Sequence, residues 1–115
     1  MDENWKQELE AEFTQAAAAR AKGNEGQARV CARRAAGIAI RQYLLRRGES
    51  VPSPSAYDLL QLIEADPAFA EDIRRAASLL RLRVTEAFTL PVDADLIEEA
   101  RKLCLALLPD WETQA

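Results

Sequence analysis

Residues 25–47, EGQARVCARRAAGIAIRQYLLRR, decide the fold. Ala28, Cys31, Ala32, Ala35, Ile38, Ala39 and Leu45 recur at three- and four-residue steps, which is the period of a helix with one broad apolar face. No proline interrupts the run, and Gly48 follows it as a C-terminal stop. The spacing predicts one long helix from Glu25 to Arg47. Its apolar face is built mostly from alanine and cysteine, and such shallow side chains let a neighbouring helix come close and fill the grooves between them. A helix of this kind needs helical neighbours on several sides.

The same helix carries a second, thinner stripe. Val30, Gly37 and Leu44 repeat every seven residues on the side away from the alanine face, with Ile40 beside them. At about 100° per residue, Arg29 and Arg33 fall on one flank of that stripe and Arg34 and Arg41 on the other. Two readings stay open here. The stripe is covered by a second copy of the chain, making a homodimer, or the helix is buried all round within one protomer.

Outward from this helix, the chain predicts helices only. A first one runs from about Glu3 to Lys22, with Trp5, Leu9, Phe13, Ala16 and Ala17 facing inward, and Gly23-Asn24 ends it. The loop Glu49-Ser-Val-Pro-Ser-Pro-Ser55 holds two prolines and three serines, and Ser53 or Ser55 caps a short helix through Ala56, Leu59, Leu60 and Ile63. Asp66-Pro67 predicts the start of the next helix, whose stripe of Phe69, Ile73, Ala76, Ala77, Leu80, Val84 and Ala87 continues to about Phe88. Asp93 or Asp95 then caps a last helix in which Leu96, Ile97, Ala100, Leu103, Cys104 and Leu107 face inward until Pro109. The expected architecture is all-α: an up-and-down four-helix bundle with one additional short helix, in a single domain spanning residues 1–115. No internal repeat points to a solenoid.

Composition agrees with a protein that folds unaided. The chain has 115 residues, 49% of them apolar, and only nine glycines and prolines together. No apolar run approaches the roughly 20 residues that cross a bilayer, and the acidic N-terminus MDENWKQELEAEF is unlike a signal peptide. Cys31 and Cys104 have no Cys-x-x-Cys or histidine partner, so both are expected as reduced core thiols in a cytoplasmic protein.

The formal net charge of −4 conceals alternating blocks: −4 over residues 1–19, +7 over 20–47, −6 over 48–72, +4 over 73–85 and −5 over 86–115. Neighbouring helices of opposite charge attract and select their pairing, which is one use of such blocks. The other is an anionic ligand, because the basic blocks are nearly all arginine and its planar fork suits phosphate. Arg29, Arg33, Arg34 and Arg41 from the long helix, with Arg81 and Arg83, are the candidate residues for a phosphate or nucleotide. The acidic balance argues against a double-stranded DNA reader.

Catalysis is narrowed by subtraction. The chain contains no histidine, which removes imidazole acid–base chemistry, Ser-His-Asp and Cys-His arrangements and histidine-containing zinc sites. Gly23-Asn-Glu-Gly26 is a turn between helices rather than a phosphate loop. Glu71-Asp72 and Glu98-Glu99 are adjacent pairs, about 100° apart on a helix, and do not converge on a substrate. No cofactor and no metal are expected.

The order of elements resembles a known family. A helix ending in Ala-x-x-Lys-Gly, then ARVCARRAAGIAIRQYLLRRG, a proline-serine loop, SAYDLLQLIEADPAFAEDIRRAASLLRLRV, and an acidic-capped DADLIEEARKLCLAL together look like the HEPN domain over about residues 8–108. The resemblance implies a small helical bundle, commonly dimeric, whose members include nucleotide-binding modules, partners of nucleotidyltransferases and toxin ribonucleases. The ribonuclease branch carries an arginine followed after four to six residues by a histidine. In RLRVTEAFTLP, residues 81–91, Arg83 best matches the arginine, whereas Ala87, Phe88 and Thr89 stand where the histidine would fall. The resemblance therefore implies a non-catalytic member that binds a nucleotide or a protein. The alternatives are an RNA-binding or RNA-processing protein of toxin–antitoxin type, and a purely structural helical adaptor.

Overall fold

Three helices begin where a short polar side chain can accept from their open N–H groups. In the computed structural model, which describes residues 4–82 and 94–111, Asn24 Oδ1 accepts from Gln27 N at 3.1 Å and Ser55 Oγ from Asp58 N at 3.4 Å. Asp95 Oδ1 accepts from Ile97 N and Glu98 N at 3.1 and 3.2 Å. Ser55 rather than Ser53 is thus the cap; Ser53 instead donates to Asp58 Oδ2. Asp95 caps the last helix, and Asp93 lies outside the described residues.

The helices are α1 (Asn4–Ala21), α2 (Glu25–Arg46), α3 (Ala56–Ala65), α4 (Glu71–Leu80) and α5 (Leu96–Leu107), with no strand among the described residues. The chain is all-α. The α1–α2 connection is tight because Gly23 takes φ +80°, a conformation that side chains disfavour, while Asn24 N donates back to Ala19 O at 2.8 Å.

One expected start is wrong. The helix expected from Asp66-Pro67 begins only at Glu71, because Asp66 Oδ1 accepts from Ala68 N and Asp66 O from Phe69 N, closing a separate turn ahead of it. It ends at Leu80, with Arg81 in a turn and Leu82 non-helical, so the expected continuation to about Phe88 is broken here; Val84, Ala87 and Phe88 themselves lie outside the described residues.

Packing assigns roles that periodicity left open. Helices α2, α3, α4 and α5 close a ring, each touching the next and α5 returning to α2, and α1 lies along α2. The additional helix is therefore α1, while α3 and α4 are the two short members of the ring, ten residues each. Helix α1 buries Trp5, Leu9, Phe13, Ala16 and Ala19; Ala17, expected inside, faces outward, about 100° away from Ala16. Helix α2 buries Ala28, Cys31, Ala32, Ala35, Ala36, Gly37, Ala39 and Ile40. Its buried arc is rotated from the expected one, so Ile38 is half-buried and Leu45 is 52% exposed. The small side chains do permit close approach: Cys104 Sγ on α5 lies 3.8 Å from Ala35 O on α2. Among the described residues no helix is long and apolar enough to cross a membrane.

Two arginine clasps tie the helix ends. Arg20 binds Glu25 and Asp95, joining the α1–α2 turn to the start of α5, and Arg46 makes a two-pronged pair with Asp110 at 2.8 and 2.9 Å. The Arg20 hydrogen bond holds the Glu25 carboxyl below its usual range, and the Arg46 bond does the same for Asp110. Burial pushes the Asp95 carboxyl up, but the bonds from Arg20 and from its own helix N–H groups more than offset it.

Groups with depressed folded values stabilise above their unfolded pKa of about 4 and lose that contribution as pH falls through the folded value. Stability is therefore expected to drop between about pH 5 and about pH 3, and Arg20→Gln with Arg46→Gln to flatten that drop. Both clasps are partly exposed, so solvent screening limits the difference to about 1 kcal/mol. Urea midpoints across that range check it; an unchanged pH slope in the double variant would contradict the pairing.

Candidate functional site

The six arginines that the residues nominate do not form one site. Arg33 crosses from α2 to the end of α4, where its Nε donates to Leu80 O at 2.9 Å and its Nη2 to Leu82 O at 3.4 Å. Its guanidinium also lies 4.6 Å from the centre of the Tyr57 ring. A cation on the free carbonyls of a helix C-terminus satisfies orphan acceptors and the helix dipole together, so Arg33 serves the fold. Arg81 pairs with Glu64 of α3 and ties α3 to α4. Arg29 is half-buried near Glu25, whose carboxyl its charge also helps to hold down after the stronger bond from Arg20. Arg83 lies outside the described residues.

Arg34 and Arg41 remain, and they share a groove. The groove is about 370 Å³, and α1 contributes Trp5, Glu8 and Glu12 to it. Helix α2 contributes Arg34, Gly37, Ile38, Arg41, Gln42 and Leu45, and Pro54, Ala56 and Leu59 close the far side. It exists because α1 and α3 flank the same side of α2 without meeting across it: α1 touches α2 and α5, α3 touches α2 and α4. The line of α2 left open between them carries the two arginines, with Ile38 between and Leu45 at the end.

The expected outer stripe lies elsewhere. Ile40 is fully buried, and a Cβ built on Gly37 would come within 3.1 Å of Ala56 Cβ, so the chain's own α3 covers that part of α2. Val30 and Leu44 are half-buried. An open face on α2 does exist, but it runs through Arg34, Ile38, Arg41 and Leu45.

The electrostatics of the groove are mixed. Glu8, Arg34 and Arg41 are exposed, Glu12 is half-buried, and among the described residues none of the four has an ion-pair partner. Glu12 Oε1 is buried without any hydrogen-bond partner, a buried acceptor that lacks a donor. Sequence reasoning missed Glu8, Glu12 and Trp5 as site residues. The signal was present in their spacing: Glu8 and Glu12 stand four apart, one turn, and Arg34 and Arg41 seven apart, two turns, so each pair projects from one helix side.

A more open hollow on α3 and α4 is lined by Glu64, Glu71, Arg74, Arg75 and Ser78, without apolar side chains; two others hold less charge. A shallow hollow beside α3 holds Pro52, Asp58, Leu62 and Asp66 with no cation, and another between α2 and α3 is lined by Tyr43, Phe69, Arg47 and Glu49. In the second, Arg47 is already bonded to Glu49 and lies over the Tyr43 ring. Among the described residues no three acidic or cysteine side chains converge as metal ligands would. Both cysteines are buried and unbridged, and burial pushes the Cys104 thiol well up, away from the nucleophilic thiolate.

In comparison with known proteins, no family model, no curated protein and no solved structure matches the chain.

Proposed function

We propose that this chain is a non-catalytic binding module, similar to the HEPN domain in its helix order, that works by docking a protein in the groove between α1, α2 and α3. The observation that carries this reading is the groove's lining of two arginines, two glutamates and apolar side chains, with none of the four charges ion-paired among the described residues. A nucleotide is the poorer occupant. Among the described residues its phosphates would find only Arg34 and Arg41, since Arg33 and Arg81 are engaged elsewhere, and they would meet Glu8 and Glu12 across the same groove. Like charge placed opposite a ligand discriminates against it by several kcal/mol, on the order of what one good phosphate contact returns.

A protein surface can present both signs with apolar groups between them, and this matches the half-buried Ile38 and exposed Leu45. A chain without histidine also has few ways to move a proton at neutral pH, which supports the non-catalytic reading over an RNA-processing one. Two reduced, buried cysteines suit the cytoplasm.

Thermal shift decides between the ligand classes. Millimolar ATP, or inorganic phosphate as the simpler probe, is expected to leave the melting temperature unchanged, because stabilisation requires differential binding to the folded state. A rise that disappears in Arg34→Ala/Arg41→Ala would replace protein docking with nucleotide or phosphate binding.

A further inference from the structure

We propose that the outer side of α3 is a second docking surface, and that it takes a basic segment of another protein, with two cations flanking an apolar side chain. Helix α3 has two faces. Leu59, Leu60 and Ile63 pack into the core, whereas Asp58, Gln61, Leu62 and Ala65, at the steps i, i+3, i+4 and i+7 of one helix side, are all exposed. Leu62 is 44% exposed and, with Leu45 of the groove, is one of two large hydrophobic side chains so placed among the described residues. A single exposed leucine carries no message, but this one lines a hollow of about 580 Å³ together with Pro52 and Ala65. The loop wall of the hollow is fixed: Ser53 Oγ donates to Asp58 Oδ2 at 2.8 Å and accepts from Ser55 N at 3.1 Å, tying the proline-serine loop back onto α3. A preformed wall needs little ordering when a partner binds.

Charge names the partner. Between Arg47 and Arg74 the sequence has six carboxylates and no lysine or arginine. Two of the six line the hollow: Asp58 in the first turn of α3 and Asp66 at its C-cap, eight residues or ~12 Å apart along the axis. Glu49 and Glu64 nearby are already paired with Arg47 and Arg81. Asp58 and Asp66 have no ion-pair partner among the described residues; their carboxylates accept only from Ser53 Oγ and Ala68 N. Asp66 also stands where the helix dipole is negative, so a cation there meets two attractions. An acidic segment is repelled by this surface, and a purely apolar one covers two carboxylates without pairing them. Lysine or arginine at both ends of an apolar centre satisfies all three parts. Cations eight residues apart in a helix, or four in a strand, match the ~12 Å span. This surface shares no lining residue with the groove between α1, α2 and α3, so the chain can hold two partners at once.

The test is selection of peptides from a random displayed library on the full chain, followed by fluorescence anisotropy with the enriched peptides made synthetically. Enriched peptides are expected to carry two lysines or arginines at one of those spacings around an apolar residue. Asp58→Asn/Asp66→Asn removes both charges while each Asn Oδ1 can still accept from Ser53 Oγ or Ala68 N, and is expected to weaken binding about tenfold or more. Leu62→Asp separates a built site from general attraction. It makes the surface more acidic, which strengthens unspecific binding of a basic peptide, yet it is expected to weaken a peptide seated in the hollow by about tenfold or more. All three side chains are exposed, so both variants should keep the wild-type circular dichroism and melting curve. Arg34→Ala/Arg41→Ala is expected to leave these peptides within about twofold of wild type, because the groove is a separate surface.

A selection that enriches no peptide sensitive to Asp58, Asp66 and Leu62 overturns the inference. So do sensitive peptides that lack paired cations, or a gain of affinity in Leu62→Asp. Peptides lost in Arg34→Ala/Arg41→Ala but kept by the α3 variants would belong to the groove, and a selection yielding only those would overturn the α3 surface while supporting the groove.

Discussion

Leu103→Ala is expected to destabilise the chain by about 3–4 kcal/mol, with a fall in melting temperature of roughly 10–20 °C. Leu103 is on α5, fully buried, and α5 is the helix that closes the ring by packing on both α4 and α2. Removing three carbons there loses their transfer from water and leaves a cavity whose walls cannot easily collapse, because the helices around it are held by close contacts between small side chains. Leu45→Ala is the control. With Leu45 about half exposed, the same chemical change removes little buried surface and should alter the unfolding free energy of a dilute sample by less than about 0.5 kcal/mol.

Urea denaturation of both variants checks the contrast. A Leu103→Ala loss below about 1 kcal/mol would mean that α5 is loosely docked. The comparison also bears on function: Leu45 contributes little to the fold and lines the groove, so its substitution should weaken association far more than stability.

How much of this was legible in the residues depends on the range of the interaction involved. Caps and stops act within a few residues, so Gly23-Asn24 could be anticipated as the end of α1, and Ser55 and Asp95 each as one of two candidate caps, as could all five helices and most of the apolar stripes; that Asn24 also caps α2 was not anticipated. The rotation of α2 could not. A helix packed by α1, α3 and α5 has a buried arc set by where those neighbours lie, and periodicity alone cannot decide whether Ile38 and Leu45 or Ala36 and Ile40 go inside.

The arginines show the same limit more sharply. Arg33 and Arg34 are adjacent and chemically identical, yet one caps the end of α4, 47 residues away in sequence, and the other faces an open groove. Only the fold distinguishes them. Asp66-Pro67 failed for a local reason: an aspartate ahead of a proline fits a helix cap and a tight turn equally well, and here the turn forms.

Gly37 joins fold and groove, and its substitutions are expected to scale with side-chain size. It sits where α2 meets the first residue of α3, and an added Cβ would lie 3.1 Å from Ala56 Cβ and 3.4 Å from Ala56 Cα. Alanine gains about 1 kcal/mol of helix propensity at that position, offset by a contact tighter than helices normally accept, so Gly37→Ala should fall within about 1 kcal/mol of wild type. Gly37→Leu has no such balance. Its branch must push α3 away from α2 and is expected to destabilise by about 2–3 kcal/mol, because a close-packed contact yields by moving backbone rather than by compressing.

The coupling with Ala56 tests the cause. In a double-mutant cycle, Ala56→Gly should recover at least about 1 kcal/mol of the Gly37→Leu loss. Independent, additive effects would show that something other than this contact sets the α2–α3 distance. Because Gly37 and Ala56 both line the groove, the same displacement widens it and moves α3 relative to Arg34 and Arg41. Gly37→Leu should therefore weaken docking of a protein in the groove as well as folding, whereas Arg34→Glu/Arg41→Glu should weaken docking alone.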